Sequence, residues 1–194
     1  MQPEPSLSVE EYLALEAIAE TKHEYWGGQR FAMAGADLVH NQFTSNLVIA
    51  LGMRLHPRGC RVLASDQRVQ VGLRYFYPDV VVVCQVPDLV PPRPTSLRNP
   101  ELVVEVLSES TASLDRHVKL YAYLQVESLK EYWMVYQDAP RLMRIVRQAL
   151  SWQLQPLYGL DQTLRSEHFD LEIPLVELFA QVTFPEEPPP GFTA

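Results

Sequence analysis

Two carboxylates and one amine carry the chemistry this sequence offers. Asp79 stands at the mouth of a β-branched run, Phe76-Tyr77-Pro78-Asp79-Val80-Val81-Val82-Val83-Cys84. Glu105 lies inside a second apolar run, Pro100-Glu101-Leu102-Val103-Val104-Glu105-Val106-Leu107-Ser108. Lys119 follows on a helix-patterned segment, residues 111–124, with Asp115 and Arg116. Paired carboxylates are hard oxygen ligands that suit magnesium or manganese. A nearby lysine can position a metal-bound water and offset charge on a phosphate. The chemistry indicated is metal-dependent phosphodiester hydrolysis.

The elements that must position these groups are readable. Val80 to Val83 does not alternate, so that strand is expected to be covered on both faces. Pro78 biases Tyr77 to an extended shape. Alternation in the second strand puts Glu105 on one face with Val103 and Leu107. A carboxylate there is expensive unless paired. The plain alternative is a buried ion pair to Arg116 or Lys119; two acids on successive strands, then a lysine, favour a site. On the helix, Asp115 and Lys119 share a flank beside an expected buried stripe of Leu114, Val118, Tyr121 and Leu124. An exposed pair of that spacing, worth about 0.3–0.5 kcal/mol, is the competing reading of Asp115.

Composition narrows the classes. A chain of 194 residues is expected to form one domain, residues 1–184, followed by a Pro-rich flexible tail, 185–194. The formal net charge of −8 argues against a protein coated in non-specific DNA contacts, though not against a local phosphate site. Only three of the 16 basic residues are lysines: Lys22, Lys119 and Lys130. Cys60 and Cys84 make no disulfide framework, and Cys84 reads as strand packing. The start has no secretory pattern and no run approaches a membrane span, so a cytoplasmic protein is expected.

In chain order, Ser8 and Glu11 form a capping box for a helix running to about Ala19, with Tyr12, Leu13 and Ile18 available for packing. Residues 23–33 read as a hairpin turning at Gly27-Gly28, with Glu24 before the turn. Residues 36–55 read as a helix with Asp37 and His40 near its start. Residues 61–71 read as one strand, with Asp66 a bulge or turn acid. Arg54, Arg58, Arg61, Arg68 and Arg74 could line a DNA track, with a solvated surface as the default. Residues 86–100, rich in proline, read as a long stiff loop. After the strand at 131–136 come a strand pair (141–146, 150–158), one short strand (169–173) and a short helix (175–179).

These pieces resemble the Uma2 family, also called DUF820 and described as restriction endonucleases. The resemblance rests on Pro78-Asp79-Val80-Val81-Val82, on residues 100–108, and on Ser110-Thr111, Asp115-Arg116, Lys119, Tyr121 or Tyr123, and Glu131-Tyr132-Trp133. It implies the PD-(D/E)XK nuclease fold: an α/β, restriction-endonuclease-like mixed sheet flanked by helices, here with an added C-terminal hairpin region. It further implies Asp79 and Glu105 as metal ligands, with Mg2+ or Mn2+ as cofactor. Glu24 and His40 match further family positions and are supporting candidates with Asp115. The nuclease motif places its lysine two residues after the second acid; Leu107 stands there, and the resemblance implies that Lys119 replaces it. The expected function is a DNA endonuclease, as a homodimer or higher homo-oligomer. The alternatives are a nuclease-fold protein that binds nucleic acid or a protein partner without cutting, and a hydrolase of another phosphate ester.

Overall fold

A computed structural model describes residues 6–33, 35–92, 94–107 and 113–184, without the side chains of residues 113–116. Helix α1 (Val9–Glu16) starts in the expected capping box. Glu11 N–H donates to Ser8 Oγ at 3.1 Å, and Ser8 N–H donates to Glu11 Oε2 at 2.7 Å. It ends before Ala19, burying Tyr12 and Glu16 and leaving Ile18 exposed. The hairpin β1 (His23–Trp26) and β2 (Gln29–Ala32) turns at Gly27 and Gly28, whose φ values of 60° and 78° are those a two-residue hairpin loop demands. Helix α2 (Leu38–Leu55) is capped by Asp37.

A central sheet carries the candidate site. Its order is β12-β11-β10-β9-β6-β3, comprising β3 (Arg61–Ala64), β6 (Val80–Val83), β9 (Leu102–Leu107), β10 (Glu131–Tyr136), β11 (Arg141–Arg147) and β12 (Trp152–Tyr158). Strands β9 and β10 are parallel and joined through α3 (Ser113–Tyr123); the other neighbours are antiparallel. All four valines of β6 are buried, as the unbroken run predicts. Val80, Val82, Val104 and Val106 pack with Phe43, Leu47 and Leu51 of α2. Val81, Val83 and Val103 face the other way, toward Ala122 and Tyr123 of α3 and Phe76. A second mixed sheet, β2-β1-β5-β4-β8-β7, adds β4 (Arg68–Val71), β5 (Arg74–Phe76), β7 (Leu89–Val90) and β8 (Ser96–Leu97). The hairpin β13 (Thr163–Ser166) and β14 (Leu171–Pro174) and helix α4 (Leu175–Leu178) complete the fold.

Several local expectations need correction. Residues 61–71 are two strands in different sheets, because the chain turns at Ser65-Asp66; Asp66 is the expected turn acid, ion-paired with Lys22. The 86–100 segment is not strand-free, since β7 and β8 pair within it and β8 runs parallel to β4. A hairpin stands where one short strand was expected at 169–173. Cys60 and Cys84 are disulfide-bonded rather than merely packed: Arg61 pairs with Val83, so the next step of that register sets the cysteines opposite each other. Of the expected inward stripe of α3, Leu124 packs against the core but Tyr121 does not, and the side chain of Leu114 lies outside the described residues. Tyr121 is 65% exposed, while Ala122 and Tyr123 are fully buried. Lys119, Tyr123 and Val126 lie along that inner side at spacings of four and three.

Candidate active site

The β6–β9 register builds the carboxylate pair. Val80 pairs with Val104, so one step on, Asp79 lies across from Glu105 on the face of Val81 and Val103. Both acids are nearly buried, Asp79 at 9% and Glu105 at 8% exposure. Val106 N–H donates to Asp79 Oδ2 at 2.7 Å, locking the carboxylate against β9. His40 Nε2 lies 3.2 Å from Asp79 Oδ1. An ionised carboxylate offers about four acceptor positions, so these two contacts leave Asp79 lone pairs for a cation.

His40 is held by the start of α2, where its N–H donates to the Asp37 cap at 2.8 Å. Burial alone would lower its pKa. The hydrogen bond and charge of Asp79, the charge of Asp37 and the Val106 backbone outweigh that, and the net shift is upward from 6.5. A raised folded-state pKa contributes stability that is full below the unfolded value and lost as pH rises through the folded one. Metal-free protein is therefore expected to lose a His40-dependent increment of thermal stability as pH climbs from about 6.5 through that raised value. His40→Gln flattens this part of the melting-temperature profile; an unchanged slope would remove His40 as its source.

Strand β1 and helix α3 supply the other side. Glu24 is 5% exposed, not the surface strand acid its residue type suggests. Its Oε1 accepts from Tyr77 N–H at 3.1 Å, two residues before Asp79, and lies 2.8 Å from Lys119 Nζ. Lys119 thus points inward, with Glu24 as a described partner. Tyr123, one turn further along α3, stands in the fields of Glu105, Glu24 and Asp79; burial first, then those charges, hold its pKa well above 10.0. Of the two tyrosines in the resemblance, Tyr123 is the buried one and Tyr121 is exposed.

Other expected features lie elsewhere. The side chains of Asp115 and Arg116 fall outside the described residues, as do Ser108, Ser110, Thr111 and the tail. Leu107 is buried in the position the motif lysine would take. Three of the five arginines are engaged within the protein: Arg54 is bound to Glu177, Arg58 to Asp170, and Arg68 is buried beside Tyr12 and Tyr75. Two surface hollows that share Arg98 and Glu127 contain none of the candidate residues. Among the described residues no group of three or more His, Cys, Asp or Glu forms a ready-made metal cage. The donor set still fits a hard divalent ion, since magnesium binds through one or two carboxylates and keeps several waters. Asp79 and Glu105 would supply those two.

The chain is similar to several known proteins. The Uma2 family profile, described as "Putative restriction endonuclease", matches residues 9–175. Two uncharacterized proteins of Synechocystis sp. are similar. One, sll1609, is 33% identical over 156 residues, covering 79% of this chain and 88% of the relative. The other, slr1290, is 36% identical over 135 residues, covering 69% and 70%. The crystal structure of "a putative nuclease belonging to DUF820" from Anabaena variabilis superposes with a TM-score of 0.72 at 18% identity, covering 91% of this chain and 99% of that one. At that identity the likeness establishes the fold, which is the mixed α/β architecture that the resemblance implied. A match over that span, with relatives above 30% identity, leaves one conclusion: the chain belongs to the Uma2 family.

Proposed function

We propose that this protein is a metal-dependent DNA endonuclease whose site is Asp79, Glu105 and Lys119, with Glu24 and His40 in support. The observation that carries this reading is the buried cross-strand Asp79–Glu105 pair, with Lys119 ion-paired to Glu24, whose carboxylate also accepts from Tyr77 N–H two residues before Asp79. Asp79 and Glu105 would hold Mg2+ or Mn2+, which would supply Lewis-acid stabilisation of charge on the phosphate. Lys119, paired with Glu24, serves as a cationic donor rather than a base: it orients a water and offsets phosphate charge. His40 fixes the orientation of Asp79.

A second reading has its own support. Leu107 in the motif-lysine slot and the net charge of −8 favour a nuclease-fold protein that binds nucleic acid or a partner without cutting. Cleavage of supercoiled DNA by the purified protein with Mg2+, Mn2+ or EDTA separates the two. Under the nuclease reading, Lys119→Met lowers metal-dependent cutting about 100-fold. It also leaves Glu24 buried without that cation, which destabilises. The double variant Glu24→Gln/Lys119→Met is expected to recover stability without recovering activity. Recovery of both would make the pair structural.

A homodimer is part of the proposal, since cutting both strands of a duplex favours twofold symmetry. Light scattering of the purified chain tests it. No described helix is long and apolar enough to cross a membrane. A cytoplasmic location is proposed from the sequence pattern. The Cys60–Cys84 bond is its counterweight, because reducing compartments disfavour disulfides. Thiol labelling in cell extracts tests that point.

A further inference from the structure

Helix α3 turns a second polar group into the site besides Lys119. Tyr123 is fully buried, its ring 5.4 Å from that of Phe76 and 5.7 Å from that of Tyr132. Its hydroxyl meets no hydrogen-bond partner among the described residues. Buried tyrosine hydroxyls usually find one, so this position calls for an explanation. Glu105 on β9, Glu24 on β1 and Asp79 before β6 all act on the phenol electrostatically. Burial and those charges keep it protonated, so it remains a donor across the range in which the protein works.

The missing acceptor must be small and must tolerate three carboxylates. Water does both, accepting from the phenol and donating to the acids. A phosphate oxygen reaching the same depth would add negative charge where it is already dense. We propose that the Tyr123 hydroxyl holds an ordered water beside Glu24, Asp79 and Glu105, and that this water is the hydrolytic nucleophile. The inference rests on the nuclease reading for its second half only. In that step the water oxygen bonds to phosphorus as the bond to the leaving oxygen breaks. One water proton passes through a neighbouring carboxylate to solvent, and the leaving oxygen takes a proton from solvent. Tyr123 keeps its own proton; its hydrogen bond fixes which lone pair faces phosphorus.

The test has two arms. A crystal structure of the full chain grown with MnCl2 is expected to show a water, or a metal-bound oxygen, at hydrogen-bond distance from Tyr123 Oη. A hydroxyl bonded instead to a protein carboxylate overturns the inference. In the second arm, Tyr123→Phe is compared with wild type on supercoiled DNA. The expected result is a fall in kcat of about 10-fold to 100-fold with KM unchanged, and a melting temperature close to that of wild type, since the hydroxyl bonds no protein group among the described residues. An unchanged kcat, or a lowered melting temperature accounting for the loss, overturns the nucleophile assignment. The bound oxygen with no cutting by wild type sinks the nuclease reading and the nucleophile half, and leaves the water site standing.

Discussion

Asp79→Asn will lower metal-dependent DNA cleavage by at least about 1,000-fold while leaving the fold intact. The substitution keeps size and shape but removes the charge that a divalent ion needs. It also breaks the division of labour at this side chain: Oδ2 accepts from Val106 N–H while Oδ1 faces His40. An asparagine has one oxygen for those two roles, and its amide would turn two donors toward a donor. Stability should change little, because the lost hydrogen bond is offset by relief of repulsion among Asp79, Glu105 and Glu24. The companion measurement is thermal melting with and without Mg2+. Wild type should gain stability by mass action, about 2.7 kcal/mol at a hundred times the dissociation constant, and Asp79→Asn should gain almost none. Wild-type cutting by the variant would remove Asp79 from the site.

Asp79 and Glu105 were readable because strand period and burial are local properties of sequence. An acid inside an apolar strand announces its own cost, and the pairing of β6 with β9 needed only adjacency to set the two opposite each other. Glu24 and Lys119 are different. They come from a hairpin and a helix far apart in the chain; resemblance alone suggested Glu24, and nothing local in the sequence joined it to Lys119. Their 2.8 Å contact depends on how β1 abuts the segment leading to Asp79. Tyr123 turned on helix phase: shifting the inward stripe by two residues from the expected Tyr121 brings the phenol under the carboxylates and exposes its neighbour. The split of residues 61–71 escaped detection for a similar reason. Alternation continues through Ser65-Asp66, whereas the chain reverses there and feeds a second sheet. The Cys60–Cys84 bond needed the β3–β6 register, which no spacing of two cysteines conveys.

The same limit hid the ion pair that most firmly fastens the sheet beside the site. Glu131 opens β10 and has no solvent exposure. Arg144 of β11 donates to it twice, Nη2 to Oε1 at 2.8 Å and Nε to Oε2 at 3.1 Å. Trp133 Nε1–H and Ser166 Oγ–H donate to the same carboxylate at 2.7 and 2.5 Å. Arg144 also donates to Gln155 Oε1 on β12 at 2.9 Å and to the Arg165 carbonyl on β13. One buried pair thereby ties four strands. Arg144→Ala leaves the carboxylate without its counter-charge and is expected to cost about 3–5 kcal/mol in urea unfolding. Arg144→Met with Glu131→Gln removes both charges and should recover most of that. A cost below about 1 kcal/mol would mean that the pair behaves as a surface one. β10 lies directly beside β9, with Met134 in register with Glu105. Arg144→Ala should therefore lose activity on warming, in step with unfolding, and keep it in the cold. Asp79→Asn should instead be inactive at every temperature while the sheet stays folded, and the contrast separates what holds the sheet from what works on its face.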